Sequence, residues 1–379
     1  MLEENNPFIK WIPIIIATIL LIGTILLFTM PKTKFSENEN RYLEKFPEFN
    51  WENVKDTSFM TQLENYTGDH FPYRSFFLSM KTKTELTLGK DEIADVYIGK
   101  KDYLIEKYIP MDEVTINKIS TTINRFIEQN KAQNITIMFV PTSITINQEQ
   151  LPTLATEPRQ IEDIKKLYKN LKGNQHIELE SILKMMNQKT PMFYRLDHHW
   201  TTMGAYFGYV TYQKSQSKEF EPLENFEKKT VSNAFNGTLY SKTNLYFLPS
   251  DQIEILIPRQ EKRFEINYVY NKQIQDTFYE PDWLKKKDKY SYFLNGNHPL
   301  IEIQNKDQGD QSNLLIIKDS YANSFIPIIA NDYNKISVID PRYYKYSITE
   351  YIKENQIDNI LLLYNINTLK DDLGILSIK

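Results

Sequence analysis

The chain is 379 residues long, enough for one large domain or for a domain with an appendage, and 41% apolar content supplies ample core. A formal charge of −4 lacks the overall basic bias that tracks nucleic acid. The absence of cysteine excludes disulfides, thiolate metal sites and a cysteine nucleophile. From Trp11 to Met30, "WIPIIIATILLIGTILLFTM" carries no charge. About 20 apolar residues rising 1.5 Å each cover a hydrocarbon core of roughly 30 Å. This predicts an uncleaved spanning helix over 11–30, with Pro13 in its first turn. A secretory signal peptide fits less well, because "PKTKFSEN" lacks a small-x-small cleavage site. Lys10 before the span and Lys32 and Lys34 after it leave orientation undecided by charge.

Residues 31–90 read as a polar juxtamembrane segment, with a helical stretch around Phe59, Leu63 and Tyr66 that ends before Pro72. "VYIGKKDYLI" (96–105) predicts a short hairpin around Gly99 to Asp102. An amphipathic helix follows near 112–131, then "ITIMFVP" (135–141), a continuous apolar run suited to a strand buried on both faces. Next come a charged helix at 160–172, the short strand "HIELE", an extended run over 193–197 and a helix from Thr202 to Ser215. Residues 216–310 are irregular and rich in Lys, Asn and Tyr, with a hairpin expected between "QIEILI" and "RFEINYVY". The last part alternates cleanly: strand "LLIIK", a helix from Tyr321, strand "ISVID", helix "TEYIKENQ" and strand "NILLLYN". Strands separated by helices of this length predict a parallel sheet with right-handed crossovers, here one α/β domain with an insertion.

Two stretches carry chemistry. In "LLIIKDSYANSF", Ser320 lies where a strand end meets a helix start, so its hydroxyl is exposed beside free N–H groups suited to an oxyanion. The competing reading is that Asp319 or Ser320 simply caps that helix. In "YRLDHHW", Asp197 stands two residues before His199 and can reach its imidazole, leaving the other ring nitrogen free to take a proton from a serine. His198 reads as a structural histidine, and Trp200 as core packing that could wall the site. A metal is disfavoured, because adjacent histidines splay apart and Asp69, His70, His176 and His298 lack ligand spacing. There is no GxSxG elbow and no phosphate loop.

Together with "SENENRYLEKFPEF" (36–49), "DHFPYRSFF" (69–77), "FNGTLYSK" (235–242), "DKYSYFLNGNHPLIEI" (288–303) and "IDPRYY" (339–344), these stretches resemble the DHHW family of SGNH-type proteins, related to the periplasmic alginate O-acetyltransferase subunits. The resemblance implies an SGNH hydrolase-like three-layer α/β/α sandwich, with Ser320 as nucleophile, His199 as base and Asp197 as its orienting acid. The triad order is permuted relative to common SGNH enzymes, and Lys318 stands where those carry glycine. Gly296, Asn297, Tyr321 and Arg342 are implied as oxyanion or substrate-binding groups. "NGNH" reads equally as a turn, and Arg342 reads more readily as a solvated surface residue. The implied organisation is a cytoplasmic tail (1–10), an anchor (11–30), a juxtamembrane segment (31–90) and an extracytoplasmic catalytic domain (91–379) with an insertion around 216–310. The implied function is O-acetyl transfer to a cell-wall or exported polysaccharide, without bound metal or cofactor. The acetyl group would come from cytoplasmic acetyl-CoA through a multi-pass membrane-bound O-acyltransferase. An acetylesterase using the same residues and an inert glycan-binding scaffold are the alternatives.

Overall fold

The structure, a computed structural model, describes residues 7–156, 158–173, 175–260, 262–307, 313–372 and 374–378. Most of the expected tail over 1–10 therefore lies outside the described residues, as do residues 308–310 of the expected insertion. The chain forms two compact units, Met1–Lys90 with Ser241–Phe247, and Asp91–Tyr240 with Leu248–Lys379.

In the first unit, helix α1 (Pro7–Thr29) carries the apolar run from Trp11 and ends one residue before Met30. Between Trp11 and Thr29 it is long and apolar enough to cross a membrane, and none of its side chains there is buried. Pro13 falls inside the helix rather than in its first turn, because the helix already runs from Pro7. The carbonyl of Ile9 therefore lacks its helical N–H partner. Helix α2 (Ser58–Asp69) matches the expected helical stretch, while α3 (Arg74–Thr87) was not expected. Two of the quoted motifs meet here. Arg41 Nη1 binds Asp69 Oδ2 at 2.9 Å, and Arg74 Nε binds Glu39 Oε1 at 2.9 Å. Asp69 Oδ2 also accepts the backbone N–H of Glu44 at 2.8 Å. The charged residues of "SENENRYLEKFPEF" and "DHFPYRSFF" thus lock two chain segments together.

The second unit is built on an eight-stranded sheet. Its strands in chain order are β1 (Asn134–Val140), β2 (Gln175–Ile177), β3 (Phe264–Tyr268), β4 (Gln273–Gln275), β5 (Leu300–Asn305), β6 (Leu314–Lys318), β7 (Lys335–Ile339) and β8 (Asn359–Asn365). They lie in the order β4-β3-β5-β7-β6-β8-β1-β2. The five strands from β7 to β2 are parallel, and β5, β3 and β4 extend the sheet antiparallel. The continuous apolar runs follow from burial on both faces. Leu315, Ile317, Ile360 and Leu362 pack toward helices α4 (Glu113–Gln129), α5 (Gln160–Asn170) and α8 (Ile348–Glu354). Leu314, Ile316, Leu361 and Leu363 pack on the other side toward α6 (Thr202–Ser215) and α7 (Ala322–Ile329). Helix α4 starts where Asp112 accepts the N–H of Thr115 at 2.7 Å, and it buries Ile116, Ile119, Ile123, Phe126 and Ile127 along one stripe.

The segment expected as an irregular insertion differs from expectation. "QIEILI" lies in a strand, Asp251–Pro258, that pairs antiparallel with Phe226–Phe235 and not with "RFEINYVY". The latter supplies β3, which sits inside the main sheet between β4 and β5. The partner strand was illegible because "FEKKTVSNAF" is exposed along most of its length and has no apolar alternation to mark it. "HIELE" also divides: β2 ends at Ile177, and a helix, Glu180–Asn187, begins at the second glutamate.

Candidate active site

The site stands at the carboxyl end of β6, where a parallel sheet leaves strand ends and helix starts facing a common space. After Lys318 the chain turns through Asp319, Ser320 and Tyr321 into α7. Asp319 holds this turn: Oδ1 accepts the N–H of Tyr321 at 2.9 Å, and Oδ2 accepts the N–H and side-chain amide of Asn365 at 2.8 and 2.7 Å. Burial pushes its carboxyl up to about 6 against those hydrogen bonds. The turn-locking duty thus falls on Asp319, and the Ser320 hydroxyl is free for other work.

That hydroxyl meets His199, with Ser320 Oγ and His199 Nε2 2.7 Å apart. On the far side of the ring, His199 Nδ1 lies 2.6 Å from Asp197 Oδ1. Asp197 has two further donors, the N–H of His199 on Oδ1 at 3.0 Å and the N–H of Thr238 on Oδ2 at 2.8 Å. Gly237 has to be glycine for this approach, since a Cβ there would fall 2.3 Å from Asp197 Oδ2. This explains part of "FNGTLYSK". Burial alone would raise the Asp197 carboxyl, but the two imidazoles and the hydrogen bonds from His199 and Thr238 outweigh it and hold the group well below the usual carboxylate range. Burial pushes the His199 imidazole down to about 4, with His198 adding to the effect and Asp197 opposing it. A buried, neutral imidazole oriented by a carboxylate can accept a serine proton at neutral pH.

The backbone carrying Asp197 and His199 is a closed loop rather than a strand. Phe193 and Trp200 form an antiparallel bridge, and the N–H of Thr201 binds the carbonyl of Met192 at 2.9 Å. Asp251 clamps its entry by accepting the N–H groups of Arg195 and Leu196, both at 2.8 Å. Two aromatic residues pack around the histidine and the serine-bearing turn. Tyr290 stacks on His199 at 3.7 Å between ring centroids and 12° between planes, while its hydroxyl reaches Ser324 Oγ at 3.1 Å. Trp200 is buried and donates its indole N–H to the Tyr321 carbonyl at 2.9 Å. His198 sits beside the carboxylate, its Nδ1 3.9 Å from Asp197 Oδ2, and its carbonyl accepts the Tyr321 hydroxyl.

The four expected oxyanion or substrate groups divide. Tyr321 is buried, its N–H donates to Asp319 and its hydroxyl to His198, so it presents no free donor. Gly296 uses its N–H on the Phe293 carbonyl at 3.1 Å, the turn reading of "NGNH". Arg342 closes on Asp340 through Nε at 2.8 Å and Nη2 at 2.6 Å, an internal ion pair in place of a ligand fork. Asn297 is exposed, with its side-chain oxygen turned inward onto Lys318 Nζ at 2.7 Å. The N–H of Ser320 makes no hydrogen bond among the described residues. Asp197, His198 and His199 also bring three possible metal-ligand atoms within 4.8 Å of one another. With Asp197 already accepting three N–H groups and His199 Nε2 facing Ser320, this donor set suits a proton relay better than a cation. Sequence reasoning missed Tyr290, whose partner His199 lies far away in the chain, and it marked Lys318 only as a departure from glycine, not for its bonds to Asn297 and Asn323.

An α/β/α sandwich of SGNH-like type, with a serine, a histidine and an aspartate in hydrogen-bonded series, is the class that fold and site define. The DHHW protein family matches residues 96–339, and the chain belongs to that family. A DHHW family protein from Eubacterium siraeum shares the fold at a TM-score of 0.63 and 21% identity, covering 73% of this chain and 92% of that one. PatB1 of Bacillus cereus does so at a TM-score of 0.61 and 19% identity, over 74% of this chain and 98% of that one. A second PatB1 structure, with a sulfonyl adduct, gives a TM-score of 0.59 at 17% identity, over 74% and 97% of the two chains. No curated protein matches the sequence.

Proposed function

We propose that this chain is a membrane-anchored, extracytoplasmic O-acetyltransferase that moves acetyl groups onto hydroxyls of a cell-wall or exported polysaccharide through an acyl-serine. The observation that carries the reading is the unbroken series Ser320–His199–Asp197, at 2.7 and 2.6 Å, set at a strand-to-helix junction. As Ser320 Oγ attacks the acetyl carbonyl, its proton passes to His199 Nε2. The N–H of Ser320 and the outward side-chain amide of Asn297 hold the oxyanion. Collapse expels the donor's oxygen, which takes the proton from His199, and leaves acetyl-Ser320. A sugar hydroxyl then loses its proton to His199 while attacking the ester, and collapse returns that proton to Ser320. The helix α1 supports an anchor that keeps the site near a donor emerging from the bilayer. A multi-pass membrane-bound O-acyltransferase drawing on cytoplasmic acetyl-CoA would supply that donor.

The test uses an activated acetyl ester and mass spectrometry of the protein. Acetyl should accumulate on Ser320, disappear in Ser320→Ala and fall by at least about 100-fold in His199→Ala, given the size of general-base effects. A suitable oligosaccharide should then take the acetyl group faster than water does, because a held acceptor has a large effective concentration. Release of acetate with no sugar product would make the protein an esterase. Absence of any acyl-serine would leave the scaffold reading.

A further inference from the structure

The residue before Asp319 and Ser320 is a lysine whose side chain is fully buried at the end of β6. Burying an ammonium group is costly unless it is paired and hydrogen-bonded, so its surroundings ask for a purpose. Lys318 Nζ lies 2.7 Å from Asn297 Oδ1, 2.6 Å from Asn323 Oδ1 and 3.8 Å from Asp340 Oδ2. Asp340 is held in turn by Arg342. A lysine ammonium only donates, so both asparagines are obliged to turn their oxygens toward it. For Asn323 the other end of the amide stays inside, with Nδ2 3.2 Å from Asn297 Oδ1 and 3.4 Å from the Gly296 carbonyl. For Asn297 the oxygen is thereby engaged twice, and Nδ2 has no partner among the described residues.

We propose that Lys318 is a positioning residue: it fixes the side-chain amide of Asn297 with its nitrogen facing outward beside Ser320, where it serves the developing oxyanion. The placement follows from the chain. Lys318 stands two residues before Ser320, and Asn323, whose N–H donates to the Ser320 carbonyl at 3.1 Å, stands three after it. Asn297 is hydrogen-bonded to the side chains of both, so its amide is anchored to residues that flank the nucleophile in the chain. The loop that delivers it is itself held in an uncommon shape. Leu294, Asn295 and Gly296 have φ of 56°, 53° and 87°, a left-handed run that a buried leucine adopts only under constraint. That run is braced by Trp283 Nε1 on Asn295 Oδ1 at 2.6 Å and by His298 Nε2 2.9 Å from the Asn295 carbonyl. This explains why a lysine is compatible with the place where common SGNH enzymes have glycine.

The inference rests on the Ser320 acyl-transfer reading, and its test separates the two. Rates of Ser320 acetylation by an activated ester are measured for the wild type, Asn297→Ala, Lys318→Met and the double variant. Removing one oxyanion donor should slow acylation by about 100-fold with little change in KM. Lys318→Met should approach the same loss, and the double variant should be no slower than the slower single one. Losses that multiply in the double variant, or Lys318→Met acylating at the wild-type rate, would overturn the positioning role. If Ser320→Ala acylates like the wild type, the reading beneath it fails instead.

Should Lys318→Met not fold, wild type against Asn297→Ala still decides. Burial pushes Lys318 down to about 8 against the attraction of Asp340 and Asp319, with Arg342 adding to the downward shift, and His298 also borders the group. Neutralising the lysine frees Asn297 to flip, so wild-type acylation should fall above about pH 8 and that limb should be absent in Asn297→Ala. The same limb in both proteins would overturn the proposal.

Discussion

His199 is enclosed on every side that can influence its proton. Asp197 holds Nδ1, Ser320 meets Nε2, Tyr290 covers one ring face at 3.7 Å and the ring of His198 lies 4.0 Å away. Burial, and then His198, disfavour the imidazolium and place the folded-state value at about 4, below the ordinary histidine value near 6.5. The sign follows directly: the ring stays neutral as pH falls through 6.5 and gains its proton only near 4. With five histidines in the chain, imidazole NMR of 15N-histidine-labelled protein can follow each ring, and His199→Gln identifies the signal by deletion. The His199 resonance should titrate with a midpoint near 4. A midpoint at or above 6.5 would show that Asp197, rather than burial, dominates the ring.

At the scale of elements, the junctions matter more than the interiors. Trp200 precedes α6, yet its indole binds the carbonyl of Tyr321 at 2.9 Å and Ser324 Oγ at 3.1 Å at the start of α7. It therefore joins the loop that carries the histidine to the turn that carries the serine. Its ring also limits α6, where a Cβ on Gly208 would lie 3.0 Å from the indole. Trp200→Phe keeps an aromatic ring but leaves the buried Tyr321 carbonyl without this donor. Urea unfolding should register a loss of about 1–3 kcal/mol, the usual cost of an orphaned buried polar group. Acetylation of Ser320 should slow as well, since the two elements lose a shared tether. Wild-type stability and rate in that variant would mean the indole hydrogen bonds carry no weight.

For the whole molecule, the decisive feature is the contrast between α1 and the sheet domain. The helix presents an apolar surface with no buried side chain between Trp11 and Thr29, whereas the parallel strands β1, β6, β7 and β8 of the second unit are almost entirely buried. An apolar helix without protein partners is stable where lipid replaces water and its backbone is satisfied internally. The full-length protein should therefore sediment with membranes and resist an alkaline wash, and deletion of residues 1–30 should release it. Recovery of the intact chain, residues 1–30 included, in the soluble fraction would rule out an anchor. External protease reaching the domain in intact cells would fix its side.

Local pattern alone determines a large part of this protein. Periodicity places β1, β6, β7 and β8 and the helices between them, because apolar runs bounded by helices leave little choice of architecture. The Asp197–His199 contact is equally legible, since two residues of spacing bring carboxylate and imidazole together within one turn of chain. What tertiary structure alone decides is everything that depends on distant partners. The exposed, charged strand Phe226–Phe235, the place of β3 inside the sheet, and the acceptor that the Tyr321 hydroxyl finds at His198 all depend on groups remote in sequence. Lys318 and Tyr290 show why. A lysine in an apolar strand and a tyrosine in a polar loop acquire meaning only when folding places Asn297 and His199 against them. Sequence spacing encodes short-range geometry, while the pairing of buried polar groups is settled by which donors and acceptors the completed core leaves facing each other.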